Sequence, residues 1–197
     1  ELITDNTNQL RTLGTTYVQF TPINGLNIKS TFGFDINNIK SPRYESRELP
    51  SRFEAETGGF ARINTNVNLS IQNDNTINYT KEFGEHDINV LGGWTYQSYD
   101  MEQLSVSSQG FSNDITAYHA IETGDPELTN ASSDESEWTL LSALFRFNYI
   151  FKDKYFLTVS GRSDGSSRFA EENKWQFFPS TALAWRVSTE PFLDNAS

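Results

Sequence analysis

Arg62-Ile63-Asn64-Thr65-Asn66-Val67-Asn68-Leu69-Ser70-Ile71-Gln72 alternates in character without a break. Ile63, Thr65, Val67, Leu69 and Ile71 form one set, apolar and mostly β-branched. Arg62, Asn64, Asn66, Asn68, Ser70 and Gln72 form the other. Successive side chains of an extended strand point to opposite faces, so one face suits an apolar medium and the other only water or a polar lumen. The same period recurs along the chain. Leu26, Ile28, Phe32, Phe34 and Ile36 oppose Asn27, Lys29, Thr31 and Asp35. Leu141, Ala143, Phe145, Phe147, Tyr149 and Phe151 oppose Ser142, Arg146 and Asn148. Tyr155, Leu157 and Val159 oppose Thr158, Ser160 and Arg162. Helical periodicity is absent, and the chain reads as all-β.

The connections sort into two kinds. Ile23-Asn24-Gly25-Leu26 is a tight hairpin, because Asn-Gly readily takes the positive φ of a primed turn. Phe83-Gly84-Glu85-His86 and Lys152-Asp153-Lys154 are similarly brief. Between them lie polar stretches at about 39–59 and 107–137, and a shorter one at about 163–174. Short and long connections therefore alternate, as periplasmic turns and extracellular loops do in an outer-membrane barrel. The pattern predicts seven strands near 10–21, 26–38, 60–82, 87–106, 137–151, 155–165 and 175–188. They would form part of an antiparallel up-and-down transmembrane β-barrel. Several exceed the 9–11 residues, roughly, that a tilted strand needs to cross a bilayer. Asn73-Asp74-Asn75 interrupts the third and is expected as a bulge rather than a hairpin, which would break the alternation. Tyr79, Phe83, Tyr149, Phe151, Tyr155, Trp185 and Phe192 fall beside the short turns. Trp94, Tyr96, Trp175 and Phe177 lie toward the other ends, as two interfacial belts would require.

Composition sets outer bounds. Hydrophobic residues are 36% of the 197 and mean hydropathy is −0.55, so no apolar run is long enough for a membrane helix. Barrel strands average to a similarly polar mean because half their residues face inward. The formal net charge of −11 argues against a nucleic-acid partner, which needs a basic surface. The absence of cysteine excludes disulfides and thiolate metal sites. No signal peptide opens the sequence, which reads as a mature or internal segment.

The last quarter carries a series of ordered motifs. Phe147-Asn148-Tyr149 and Lys152-Asp153-Lys154-Tyr155 lead into Leu157-Thr158-Val159-Ser160-Gly161-Arg162. Asp164-Gly165-Ser166-Ser167-Arg168-Phe169, Phe178-Pro179-Ser180, Ala184-Trp185-Arg186 and Glu190-Pro191-Phe192-Leu193 follow. This series closely resembles the SusC/RagA family of TonB-dependent transporters, with Ser163 as one extra residue between Arg162 and Asp164. The resemblance is strong over about 137–193 and looser over 10–106. The stretch 107–136 carries none. It implies a share of a 22-stranded barrel that encloses a plug and is closed by a SusD-like surface lipoprotein. The TonB complex would energise active uptake of oligosaccharides or peptides across the bacterial outer membrane. Neither the plug nor the TonB-contacting segment is recognisable, so residues 1–197 are expected to belong to the barrel domain alone.

No catalytic constellation stands out, and the chain is expected not to be an enzyme and to need no cofactor. His86 and His119 are the only histidines, which leaves few ways to build a triad or a His-rich metal site. His86 is expected as a solvated turn residue and His119 as an ordinary loop residue. Asp125, Glu127, Asp134, Glu135 and Glu137 do not match a calcium-loop spacing, and a solvated acidic loop is the better reading. Asp164 and Arg168 are expected to pair within their loop. In a barrel, Asn64, Asn66, Asn68, Gln72, Arg146, Asn148 and Arg162 would face the lumen and meet plug or solute. Tyr99, Phe111 and Tyr118 would offer rings to sugars or to the lid. The competing architecture is a soluble or surface carbohydrate-binding β-sandwich, or an enzyme built on one. It would give the same alternation but scatter its long loops.

Overall fold

The computed structural model describes residues 2–54 and 56–190. Eight strands run through it: β1 (Ile3–Asp5), β2 (Asn8–Ile23), β3 (Leu26–Glu45), β4 (Gly59–Phe83), β5 (His86–Phe111), β6 (Asn130–Phe151), β7 (Tyr155–Ser166) and β8 (Trp175–Trp185). One short helix, α1 (Pro50–Glu54), lies between β3 and β4, and brief 3₁₀ segments punctuate the other connections. No helix among the described residues is long and apolar enough to cross a membrane, which has no bearing on crossing by strands.

The strands form one antiparallel sheet in which β2 to β8 follow one another as a meander, with β1 pairing the far end of β3. The sheet is open, with β2 and β8 at its edges. Every residue of β8 is exposed, as is nearly all of β2. Among the described residues no second sheet covers the apolar set, and Leu183 is 80% exposed. A sandwich requires that face to be packed against another sheet. The sandwich reading therefore fails and the up-and-down reading holds.

Seven of the eight strands are those expected from periodicity. The eighth, β1, has three residues and is too short to show a period. The structure differs mainly in strand length. β3 continues to Glu45, β5 to Phe111, and β6 begins at Asn130. These extensions set the buried Tyr44 and Phe111 among mostly polar residues, so they lack the alternation that announces a half-buried strand. Pairing with a neighbouring strand keeps them extended.

β4 passes through Asn73-Asp74-Asn75 as continuous strand, and no hairpin forms there. At this stretch and beyond it, Thr95 Oγ1 donates to Asp74 Oδ1 (2.8 Å) and Asn89 Nδ2 to Thr80 Oγ1 (2.8 Å), tying β4 to β5. The amides stay in the ladder by bonding close by: Gln72 Nε2 donates to Asp74 Oδ2 (2.7 Å), and Asn73 Nδ2 to the Thr31 carbonyl (3.0 Å). The Asn24-Gly25 turn is not the primed type I′, because only Gly25 has positive φ (82°). The double positive φ occurs instead at Lys152 (57°) and Asp153 (52°), where no glycine stands.

The sheet divides into two contact units that share strands. One contains 1–13, 35–70 and 99–137, with both longer connections. The other contains 14–34, 71–98 and 138–197, with all the short turns.

Candidate functional site

In the turn-bearing unit the two residue sets become two chemically distinct faces. Side-chain hydrogen bonds link the polar sets of successive strands. Asn89 Nδ2 donates to Asn78 Oδ1 (2.9 Å) and Thr80 Oγ1 (2.8 Å). Asn148 Nδ2 donates to Asn89 Oδ1 (3.3 Å), and Thr158 Oγ1 to Asn148 Oδ1 (2.9 Å). This ladder of amides and hydroxyls spans β4 to β7. Beyond it, Arg162 pairs with Asp164 (2.7 Å) and reaches Ser142 Oγ (3.1 Å). Of the expected lumen residues, Asn148 and Arg162 thus lie in this network, with Gln72 bonded to Asp74 on the same strand. Arg146 stands opposite Ser160 in the β6–β7 register, two positions from the Asn148–Thr158 pair, which places it on the same face.

The opposite face is aliphatic and aromatic. Strand register aligns Tyr149 with Leu157 and Leu183, Phe147 with Val159 and Thr181, and Phe151 with Tyr155 and Trp185. Beside the short turns the rings stack in a row that crosses five strands. Phe83 lies on His86 (5.1 Å between centroids), His86 on Phe151 (4.9 Å), Phe151 on Tyr155 (6.3 Å) and Tyr155 on Trp185 (6.2 Å). His86 is therefore not the solvated turn residue expected. It is the first residue of β5, and its Nδ1 lies 2.7 Å from the Tyr149 hydroxyl. Its neighbours arrive from other strands, so no local signal in the sequence marks it. Of the rings expected beside the short turns, Phe83, Phe151, Tyr155 and Trp185 stand in this row and Tyr149 stacks on His86 (5.9 Å), whereas Tyr79 is not in it and Phe192 lies outside the described residues.

In the other unit the polar set continues. Asn64 Oδ1 accepts from Ser105 Oγ (2.7 Å), Asn68 Oδ1 from the Tyr99 hydroxyl (2.9 Å), and Arg11 pairs with Asp35 (2.6 Å). Asn66 holds its Oδ1 buried with no protein partner. Tyr99 is thus a strand residue rather than a loop residue. Phe111 is 3% exposed and packs edge-on against Tyr44 (5.8 Å, 73°) beside Ala61. Its ring is not offered to a solute, because the polar stretch around it folds back on it. Tyr118 packs partly against this cluster and touches His119 (4.2 Å between centroids).

The charges of the connections are used locally. Asp125 caps a 3₁₀ turn by accepting from the Glu127 N–H (2.9 Å), and Asp134, Glu135 and Glu137 lie in β6. Among the described residues no three acidic or histidine side chains are grouped to hold a metal. Asp164 bonds to Arg162 rather than to Arg168, whose guanidinium covers the Trp138 ring (4.9 Å). Asp114 accepts from Tyr44, Ser46 and the Arg47 N–H. Its partial burial raises its pKa, but those hydrogen bonds and the nearby Arg47 charge outweigh burial and hold it below the usual value.

A meander with one hydrogen-bonded polar face, one apolar face edged by stacked rings, and alternating brief and extended connections is the wall of a membrane β-barrel. No family model matches the chain. It is 38% identical over 195 residues to TonB-dependent receptor P26 of Formosa agariphila, covering 98% of this chain and 20% of that protein. It is 33% identical over 181 residues to TonB-dependent receptor P3 of the same organism (92% and 18%). It is 29% identical over 136 residues to TonB-dependent receptor SusC of Bacteroides thetaiotaomicron (69% and 12%). Among solved structures, the RagAB peptide transporter superposes with a TM-score of 0.87 at 25% identity, over 96% of this chain and 21% of that one. The RagAB importer in its closed-closed state gives 0.88 at 26% identity. The chain belongs to the SusC-type TonB-dependent transporters and spans about a fifth of the length of the first of these relatives.

Proposed function

We propose that the chain forms part of the wall of an outer-membrane active transporter that takes up oligosaccharides or peptides. The amide ladder of the turn-bearing unit faces the lumen and plug, and the stacked rings sit at the periplasmic boundary of the bilayer. A SusD-like lipoprotein works as a lid over the extended connections, and the TonB complex supplies energy through a part of the protein outside these residues. The single observation that carries this reading is the two-faced sheet. A row of five stacked rings beside the turns has little use in water, but it suits an interface where rings contact both headgroups and acyl chains.

The proteins it resembles are named as receptors and a peptide transporter, which supports transport as the reading. The deciding experiment is the intact mass of the native polypeptide carrying these residues, taken from a detergent-solubilised outer-membrane fraction. The expected product is several times heavier than the 22.4 kDa of this chain and shows heat-modifiable gel mobility. A native soluble product of this chain's own mass would overturn the reading.

A further inference from the structure

Two extended connections, 46–58 and 112–129, meet around one carboxylate. Asp114 Oδ1 accepts the Tyr44 hydroxyl (2.7 Å) and the Arg47 N–H (3.1 Å), while Oδ2 accepts the Ser46 hydroxyl (3.0 Å). Arg47 Nη1 donates to the Ser112 carbonyl (2.7 Å), which ties the same two segments again. Ser46 Oγ in turn accepts from the Glu48 N–H (3.1 Å), passing the constraint along the first connection. Two glycines let the end of the first connection touch the end of β5, next to the second. A Cβ on Gly58 would lie 3.0 Å from the Gly110 Cα, and both residues have positive φ (67° and 83°). Among the described residues the apolar support is slight: Tyr44, Ala61 and Phe111 are buried, and Ala117, Tyr118 and Ile121 pack partly on them.

We propose that Asp114 is a latch that makes the two connections one preset body, formed before solute or any partner reaches it. Three donors converge on a single charged acceptor, and hydrogen bonds to charged groups are the strong ones. Removing the carboxylate orphans the Tyr44 hydroxyl, the Ser46 hydroxyl and the Arg47 N–H together, and the small apolar cluster cannot replace them. The connections then respond as a pair: loosening one loosens the other. Binding to such a preset surface avoids the entropy cost of ordering two separate loops. The latch does not depend on which solute the barrel carries.

The test is hydrogen exchange followed by mass spectrometry on the full-length protein in detergent. Asp114→Ala is expected to speed exchange at least about tenfold in peptides from both 46–54 and 112–129, leaving β7 peptides unchanged as the folding control. Asp125→Ala, which removes only the cap of the 3₁₀ turn at 126–128, is expected to loosen the second connection alone. Asp114→Asn, milder and safe for assembly, is expected to give the two-connection pattern at smaller size. Wild-type exchange across 46–54 in both Asp114 variants, or the same pattern from Asp114 and Asp125 variants, would overturn the latch.

Discussion

At the residue scale the polar face depends on amides that each bridge two strands. Asn148 is the clearest case, since it donates to Asn89 and accepts from Thr158. Asn148→Leu preserves bulk and removes both bonds, which is expected to cost about 1 kcal/mol per bond. The check is the urea midpoint of the folded, heat-modifiable band of the full-length protein; an unchanged midpoint would show the ladder to be incidental. Asp114 makes a pH-dependent prediction. Its folded pKa is lowered, so its stabilisation is fully present above the unfolded value of about 3.9 and is lost as pH falls through the folded value. Exchange in 112–129 is therefore expected to accelerate in that acid window, and Asp114→Asn should abolish the pH dependence without removing the region's basal exchange. The groups facing it are the Tyr44 and Ser46 hydroxyls and the Arg47 N–H, so the sign is that of Asp114.

At the element scale the strands were legible and the turns less so. Alternation across Arg62–Gln72 sufficed to place β4, because an amphipathic strand must display its two environments in its order of residues. The same signal missed the ends of β3, β5 and β6, where mostly polar residues run on without a period of two. It misassigned the primed turn as well. Asn24-Gly25 has the preferred composition, yet Lys152 and Asp153 adopt the double positive φ because the β6–β7 register, with Phe151 opposite Tyr155, demands it. Left-handed backbone costs a non-glycine residue roughly 1–2 kcal/mol. Replacing Lys152-Asp153 by Asn-Gly is therefore expected to raise the urea midpoint, by an amount corresponding to about 1 kcal/mol or more. A fall would mean that the Lys152 contacts with Glu85 and the Phe151 ring outweigh the backbone gain.

At the scale of the whole molecule the proposal assigns one face to lipid and the other to the lumen. Adjacent residues of β7 test it. Val159→Arg places a charge on the apolar face, which costs about 2–4 kcal/mol at the bilayer midplane, whereas Ser160→Arg points to the polar face. Membrane-assembled protein is expected to drop sharply for the first variant and to persist for the second, measured as the heat-modifiable fraction in outer membranes. Equal tolerance would remove the lipid assignment. On the other face, Asn66→Leu with Asn68→Leu is expected to impair plug docking or assembly and so lower solute uptake; normal insertion and uptake would count against a lumen at these positions.

The sequence by itself determined the strands, their two faces, the alternation of turns and the motif series that places the chain among SusC-type transporters. Each is a local property, written into residues two apart or into short runs. Tertiary structure decided what depends on residues far apart in the chain. His86 joined a ring stack because β4, β6, β7 and β8 bring Phe83, Phe151, Tyr155 and Trp185 to its level. Phe111 left the solvent, and Asp114 gained three donors, because β3 and the connection after it deliver Tyr44, Ser46 and Arg47 to them across some seventy residues of chain. A period of two reveals which face a side chain takes, but only strand pairing fixes which side chains share that face.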